Sequence, residues 1–105
     1  MTLNLKDKFD LCNSIADKFQ RARCRISLER EIVREGLKAE LDAVSLYETL
    51  ALMTKKPQVR KVVEDIAREE KAHIGEFLAL LVMLDDEQMD GIKKGKKEVE
   101  DVYGR

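Results

Sequence analysis

Two long runs of apolar residues, each repeating at steps of three and four, flank the chain's single proline. The first run carries Ile32, Val33, Leu37, Leu41, Val44, Leu46, Leu50, Ala51 and Met53. The second carries Val59, Val62, Val63, Ile66, Ala67, Ile74, Phe77, Leu80, Leu81 and Leu84. That period fits helices with a wide apolar face and does not fit strands, whose faces alternate at two. Between the runs stands Lys55-Lys56-Pro57. The lysines suit the C-terminal dipole of one helix. Pro57 suits the first turn of the next, where a missing N–H costs nothing. A break this short makes the two helices an antiparallel hairpin.

The flanks are read with the same period. Leu5, Phe9, Cys12, Ala16 and Phe19 predict an amphipathic helix over 4–25. Ser27 is a candidate cap for the first long helix, with Glu29 and Glu31 in its first turn. The second long helix is expected to run to about Met89, where Asp90-Gly91 stops it, and the rest reads as a solvated or frayed end. The expectation is one all-α domain over 1–105, with an N-terminal amphipathic helix (1–26), a hairpin (27–90) and a polar tail (91–105).

Composition excludes several classes. Twenty Lys and Arg balance 21 Asp and Glu, for a net charge of −1, so a uniformly basic nucleic-acid surface is not expected. With 44% apolar residues the chain is no polyanionic disordered tail. No apolar window is long enough for a membrane span, and the N-terminus MTLNLKDKFDLC lacks the apolar core of a signal peptide. A cytoplasmic protein with no membrane partner is expected. Cys12 and Cys24 form neither a CxxC knuckle nor a disulfide framework, and are expected as reduced, half-buried thiols.

The informative residues are polar ones on apolar stripes. Glu40 has Gly36, Leu37, Ala43 and Val44 at its helical neighbour positions, and Glu70 has Ile66, Ala67, His73 and Ile74. His73, the only histidine, shares the face of Glu70. An unpaired buried carboxylate is expensive, and no Lys or Arg lies on either stripe near these positions. A shared cation is the remaining compensation. Glu40 and Glu70 each lie about 15 positions from the turn, so at roughly 1.5 Å per residue antiparallel helices bring them level. Carboxylates with one imidazole suit iron or manganese, with zinc a further candidate. One hairpin supplies only Glu, Glu and His, and leaves its apolar faces partly wet. A homodimer completes a four-helix bundle and doubles the set to four Glu and two His. Asp42 is a candidate acid on the metal's approach path, and Glu48 is a similar acid or a decoy.

Glu40 in KAELDAVSLYETL, Glu70 and His73 in EEKAHIGEF, the thirty-residue interval between the glutamates, and Tyr47 seven after the first resemble the ferritin-like superfamily. The resemblance is to its encapsulated-ferritin type, which carries half a ferritin bundle per chain, and it covers about 28–85. It implies a ferritin-like four-helix bundle completed by dimerisation, dimers arranged in a ring, and a di-iron ferroxidase site shared between subunits. In that reading Glu70 bridges two irons, Glu40 and His73 hold them terminally, and Tyr47 stands behind the ligands. It also implies iron storage or detoxification, often inside an encapsulin shell. The chain departs from the family pattern at Ala39, where an additional acid is common, and at Leu46, where an aromatic is expected. Its C-terminal EVEDVYGR is also unlike the Leu/Gly-rich peptide that addresses cargo to such a shell. Two other readings stand beside it. One is a rubrerythrin-like peroxidase, although the paired CxxC motifs of a rubredoxin domain are absent from this sequence. The other is a non-catalytic helical oligomerisation module whose buried charges fix register.

Overall fold

A computed structural model of the chain describes residues 4–104 and contains four helices. They are α1 (Leu5–Ser14), α2 (Lys18–Met53), α3 (Pro57–Leu84) and α4 (Asp86–Tyr103). Among the described residues there is no strand, and the architecture is all-α as the apolar period requires. At about 1.5 Å per residue α2 is roughly 54 Å long, close to the 58 Å long axis of the molecule. No helix among the described residues is long and apolar enough to cross a membrane.

Contacts along the hairpin fix its antiparallel register. Arg60 near the start of α3 donates to the Ala51 carbonyl at 3.1 Å and to the Thr54 carbonyl at 2.8 Å, tying off the last turn of α2. Lys71 meets Glu48 at 3.0 Å. At the far end, Arg30 Nε donates to the Leu84 carbonyl at 2.7 Å, satisfying one of the carbonyls that a helix C-terminus leaves open. Pro57 occupies the start of α3, as its fixed φ favours.

The flanking elements differ from the sequence expectation. The amphipathic helix expected over 4–25 is two helices. Ile15 leaves the helical region (φ −75°, ψ 120°), and the Asp17 carboxylate accepts from the Gln20 N–H at 2.8 Å, capping a new helix. The long helix therefore starts at Lys18, and Ser27 lies inside it rather than capping it. Asn4 caps α1 in the same way through the Asp7 N–H. At the other end α3 stops at Leu84, short of Met89, because Asp85 is extended (φ −145°, ψ 97°). The segment 91–105 is not a frayed tail. Its described part belongs to α4, which passes through Gly91 and closes at Gly104 in the left-handed region (φ 74°). A glycine in an exposed helix interior costs about 1 kcal/mol relative to alanine, too little to break α4 by itself. Residues 1–3 and 105 of the two predicted terminal segments lie outside the described residues.

The cysteines are a further correction. Cys12 and Cys24 form a disulfide, not two reduced thiols, with Cα atoms 5.4 Å apart. The turn at 15–17 folds α1 back along α2 and brings the two positions together. A spacing of twelve cannot reveal this when the segment is read as one straight helix.

Packing across the hairpin is a line rather than a volume. Val33, Ala51, Ala67 and Leu81 are buried there, while Leu28 and Cys12 are buried at the α1 end. A second stripe on α3 stays open, with Val62 58% and Leu80 45% exposed. α1 is tied to α2 by Lys8 and Glu31, 3.1 Å apart. The Lys8 hydrogen bond, with a smaller contribution from Arg34, holds the Glu31 carboxyl below its ordinary value of about 4.5, against the opposing effect of partial burial. A lowered folded-state value means that this stabilisation is present above about 4.5 and is lost as pH falls through the folded value. For a single ion pair that still touches solvent it is worth about 1 kcal/mol or less. Denaturant titrations across pH are expected to show Lys8→Ala slightly less stable at neutral pH, with the two proteins converging in acid. A gap that persists in acid would assign the loss to packing by the lysine stem.

Candidate metal centre

Glu40 sits on the inward stripe of α2, between buried Val33 and buried Ala51. Glu70 and His73 sit one turn apart on α3. Antiparallel packing brings the three together, with one ligand atom from each lying within 4.8 Å of the others. His73 Nδ1 is 3.4 Å from Glu40 Oε1 and 3.3 Å from Glu70 Oε2. The two carboxylate side chains are 20% and 19% exposed, and His73 is 46% exposed.

Charge within this cluster does not balance. Among the described residues, neither Glu40 nor Glu70 makes an ion pair with a lysine or arginine. Lys71, the nearest lysine in sequence to Glu70, is turned to Glu48. A protonated imidazole would still leave two carboxylates and one positive charge. One nitrogen, Nδ1, faces both carboxylates and carries at most one proton, so it cannot donate to both. Glu40 Oε2 is buried and has no hydrogen-bond partner. A buried orphan acceptor costs about 1–3 kcal/mol, more for a charged group. Hard oxygen donors with one imidazole are the donor set that first-row divalent cations such as iron, manganese or zinc accept, so the residues present fit a metal.

The other sequence candidates fall outside this cluster. Tyr47 is half-buried on the inward stripe of α2, two turns from Glu40, and among the described residues it hydrogen-bonds to none of the three. Asp42 is exposed and, two residues on, lies about 200° round α2 from Glu40. Glu48 is held by Lys71. The sequence reading missed Gly36 as a positioning residue. It lies one turn before Glu40, Phe77 lies one turn after His73, and a Cβ at Gly36 would overlap the Phe77 ring. A glycine inside a helix of strong helix formers, at the height of an aromatic on the facing helix, was the available signal.

A Glu from one helix and a Glu-x-x-His from its antiparallel neighbour, in an all-α chain, define the ferritin-like class. The Rubrerythrin family model matches residues 31–103, and the chain belongs to that family. It is similar in structure to the encapsulated ferritin domain from Pyrococcus furiosus, solved by crystallography, with a TM-score of 0.74 and 48% sequence identity. That match covers 76% of this chain and 82% of the other. The ferritin-like-encapsulin shell fusion protein of the same organism is 51% identical over 74 residues, which are 70% of this chain and 21% of that protein. The encapsulin nanocompartment cargo protein EncB of Myxococcus xanthus is 37% identical over 62 residues, which are 59% of this chain and 39% of that protein. The chain thus spans about a fifth and about two fifths of the length of these curated relatives. Family and relatives together support an iron-related function.

Proposed function

We propose that the chain is a ferroxidase, oxidising Fe(II) to Fe(III) at a two-metal site shared between two copies, for iron storage or detoxification. The observation that carries this reading is Glu40 Oε2, a buried carboxylate oxygen without a partner beside a second carboxylate and an imidazole. Three donors leave a metal under-coordinated, and His73 is the most exposed of them. It lies on the open stripe of α3 with Val62 and Leu80. A second hairpin laid on that stripe buries its apolar residues and brings a second Glu, Glu and His.

In this reading Glu40, Glu70 and His73 of each copy would together hold the metals. Bound iron supplies the redox chemistry, each Fe(II) giving one electron to the oxidant. The chain's own part is electrostatic. Glu40 and Glu70 place negative charge where water is scarce, which favours the higher-charged Fe(III). His73 adds a neutral donor whose other ring nitrogen is free for a hydrogen bond that fixes its orientation. Dioxygen is the oxidant proposed. Peroxide is the second reading, favoured by the match to the Rubrerythrin family. Given the relatives' names, the proposed setting is the interior of an encapsulin shell, with the protein in a ring of dimers.

The test mixes anaerobic protein with Fe(II), adds air or peroxide, and follows Fe(III) absorbance beside native mass. Oxidation well above that of free Fe(II), in a species of two or more chains, is expected. A monomer indifferent to metal with no acceleration by either oxidant would leave the non-catalytic helical module as the answer. Faster turnover with peroxide than with air would make the protein a peroxidase.

A further inference from the structure

We propose that the Cys12–Cys24 disulfide is a reducible latch that decides whether α1 stays docked on the N-terminal third of α2. The hairpin itself does not cover that third. The bond from Arg30 to the Leu84 carbonyl sets the end of α3 level with residue 30. Residues 18–29 of α2 therefore run on past α3 for about 18 Å. α1 is the element packed there. Lys8 pairs with Glu31 at 3.1 Å, Arg25 donates to Asn13 Oδ1 at 3.0 Å, and Arg21 donates to the Ile15 carbonyl at 2.9 Å.

These polar contacts are part-exposed, and the apolar anchorage of α1 is thin. Leu5, Phe9 and Leu11 are 36%, 54% and 51% exposed, whereas Cys12 is 1% exposed and is the buried residue of the helix. A helix of ten residues is below the roughly 12–15 needed for even marginal stability on its own. Docking of α1 thus hangs on Cys12, and Cys12 is bonded to Cys24.

The bond can be reached from one side. A groove of about 200 Å³ opens on it, lined by Lys8, Leu11, Cys12, Cys24, Ser27 and Leu28. Cys24 is half-buried where Cys12 is fully buried. The geometry makes Cys24 Sγ the electrophile. A thiolate of a dithiol reductant attacks Cys24 Sγ and forms a new S–S bond. Cys12 Sγ leaves with the electron pair and takes up a proton. The reductant's second thiolate then attacks its own sulfur in the mixed disulfide. Cys24 Sγ leaves with its electron pair and is protonated, and the reductant departs as its disulfide. Two electrons pass from the dithiol to the protein. Only the thin apolar packing of Cys12 and the part-exposed polar contacts then hold α1, and it comes away. The latch is separate from the Glu40, Glu70 and His73 cluster, since Glu40 lies about 24 Å further along α2 from Cys24.

Hydrogen exchange on the full chain tests this, comparing oxidised protein with protein reduced by excess dithiothreitol. Reduction is expected to speed exchange across 5–29 by about tenfold or more while 57–84 stays unchanged, and re-oxidation with diamide is expected to restore protection. The Cys12→Ser/Cys24→Ser variant should match the reduced state. Brief exposure to glutathione should leave its adduct on Cys24. Unchanged protection over 5–29 after complete reduction, shown by alkylation of both thiols, would overturn the latch. So would a disulfide that resists dithiothreitol in the folded protein, an adduct on Cys12, or loss of protection throughout α3 as well.

Discussion

Replacing Glu40 with leucine is expected to raise the melting temperature of the metal-free protein and abolish its oxidation of Fe(II). The two effects share one cause. Glu40 Oε2 is buried without a partner, on a helix face whose neighbouring positions carry Leu37 and Val44. That orphan costs about 1–3 kcal/mol in the metal-free state, and leucine removes the cost. At roughly 4–8 °C per kcal/mol for a domain of this size, the gain is visible by calorimetry. The wild type recovers more once metal is present, since a ligand at a hundred times its Kd adds about 2.7 kcal/mol. The variant should show no such rise. Loss of an outer partner of a metal typically costs 10–100-fold in affinity or activity, so loss of a ligand should slow oxidation by more than about a hundredfold. Calorimetry with and without Mn(II), beside the oxidation rate, checks both halves. A fall in metal-free stability would mean that Glu40 holds the fold together by pairing. The charged core would then be a register device, and the metal reading would be wrong.

How the sequence foretold these positions, and where it could not, follows from which signals are local. The hairpin was legible because the period of Ile32 to Met53 and Val59 to Leu84, with Pro57 between, is a property of each helix alone. The meeting of Glu40 with Glu70 and His73 was legible because rise per residue is constant, so equal distances from a turn are equal heights. The break before α2 was carried by Asp17, which offers a cap to Gln20, but the apolar steps at Ala16 and Phe19 run straight through it. Reading past that break hid the disulfide as well, since only the fold-back places Cys12 beside Cys24. At the other end Asp90-Gly91 carried a stronger stop signal than Asp85. What holds the true joint is tertiary: Arg30 on the Leu84 carbonyl, and Arg34 between Glu31 and Asp85. No local pattern contains those arginines. Tyr47 and Asp42 were suggested by a family's habit and by a nearby acid, and among the described residues neither joins the three-residue cluster.

The spacing of α2 and α3 beside the cluster is set where the sequence offers least, at Gly36. Its missing Cβ leaves room for the Phe77 ring, one turn from both Glu40 and His73. Gly36→Val is expected to destabilise the protein and weaken metal binding together. Valine recovers at most a few tenths of a kcal/mol of helix propensity over glycine. Against that, forcing side-chain volume into a filled contact costs about 1–3 kcal/mol. The clash therefore wins, by about 2 kcal/mol or roughly 10 °C in Tm. Part of the strain is relieved by moving the helices apart, and Glu40 moves with α2. Its 3.4 Å separation from His73 then widens, and the proposed metal site loses the spacing its donors have now. Phe77→Leu should return much of both losses in the double variant, because it removes the ring atoms that the new side chain meets. The readouts are thermal unfolding of the metal-free protein and Mn(II) affinity, taken round a double-mutant cycle. Contacting residues couple by about 0.5–3 kcal/mol in such cycles, whereas independent sites add. Simple additivity between Gly36 and Phe77 would show that the ring swings aside freely, and that something other than this contact holds the two carboxylates at their distance.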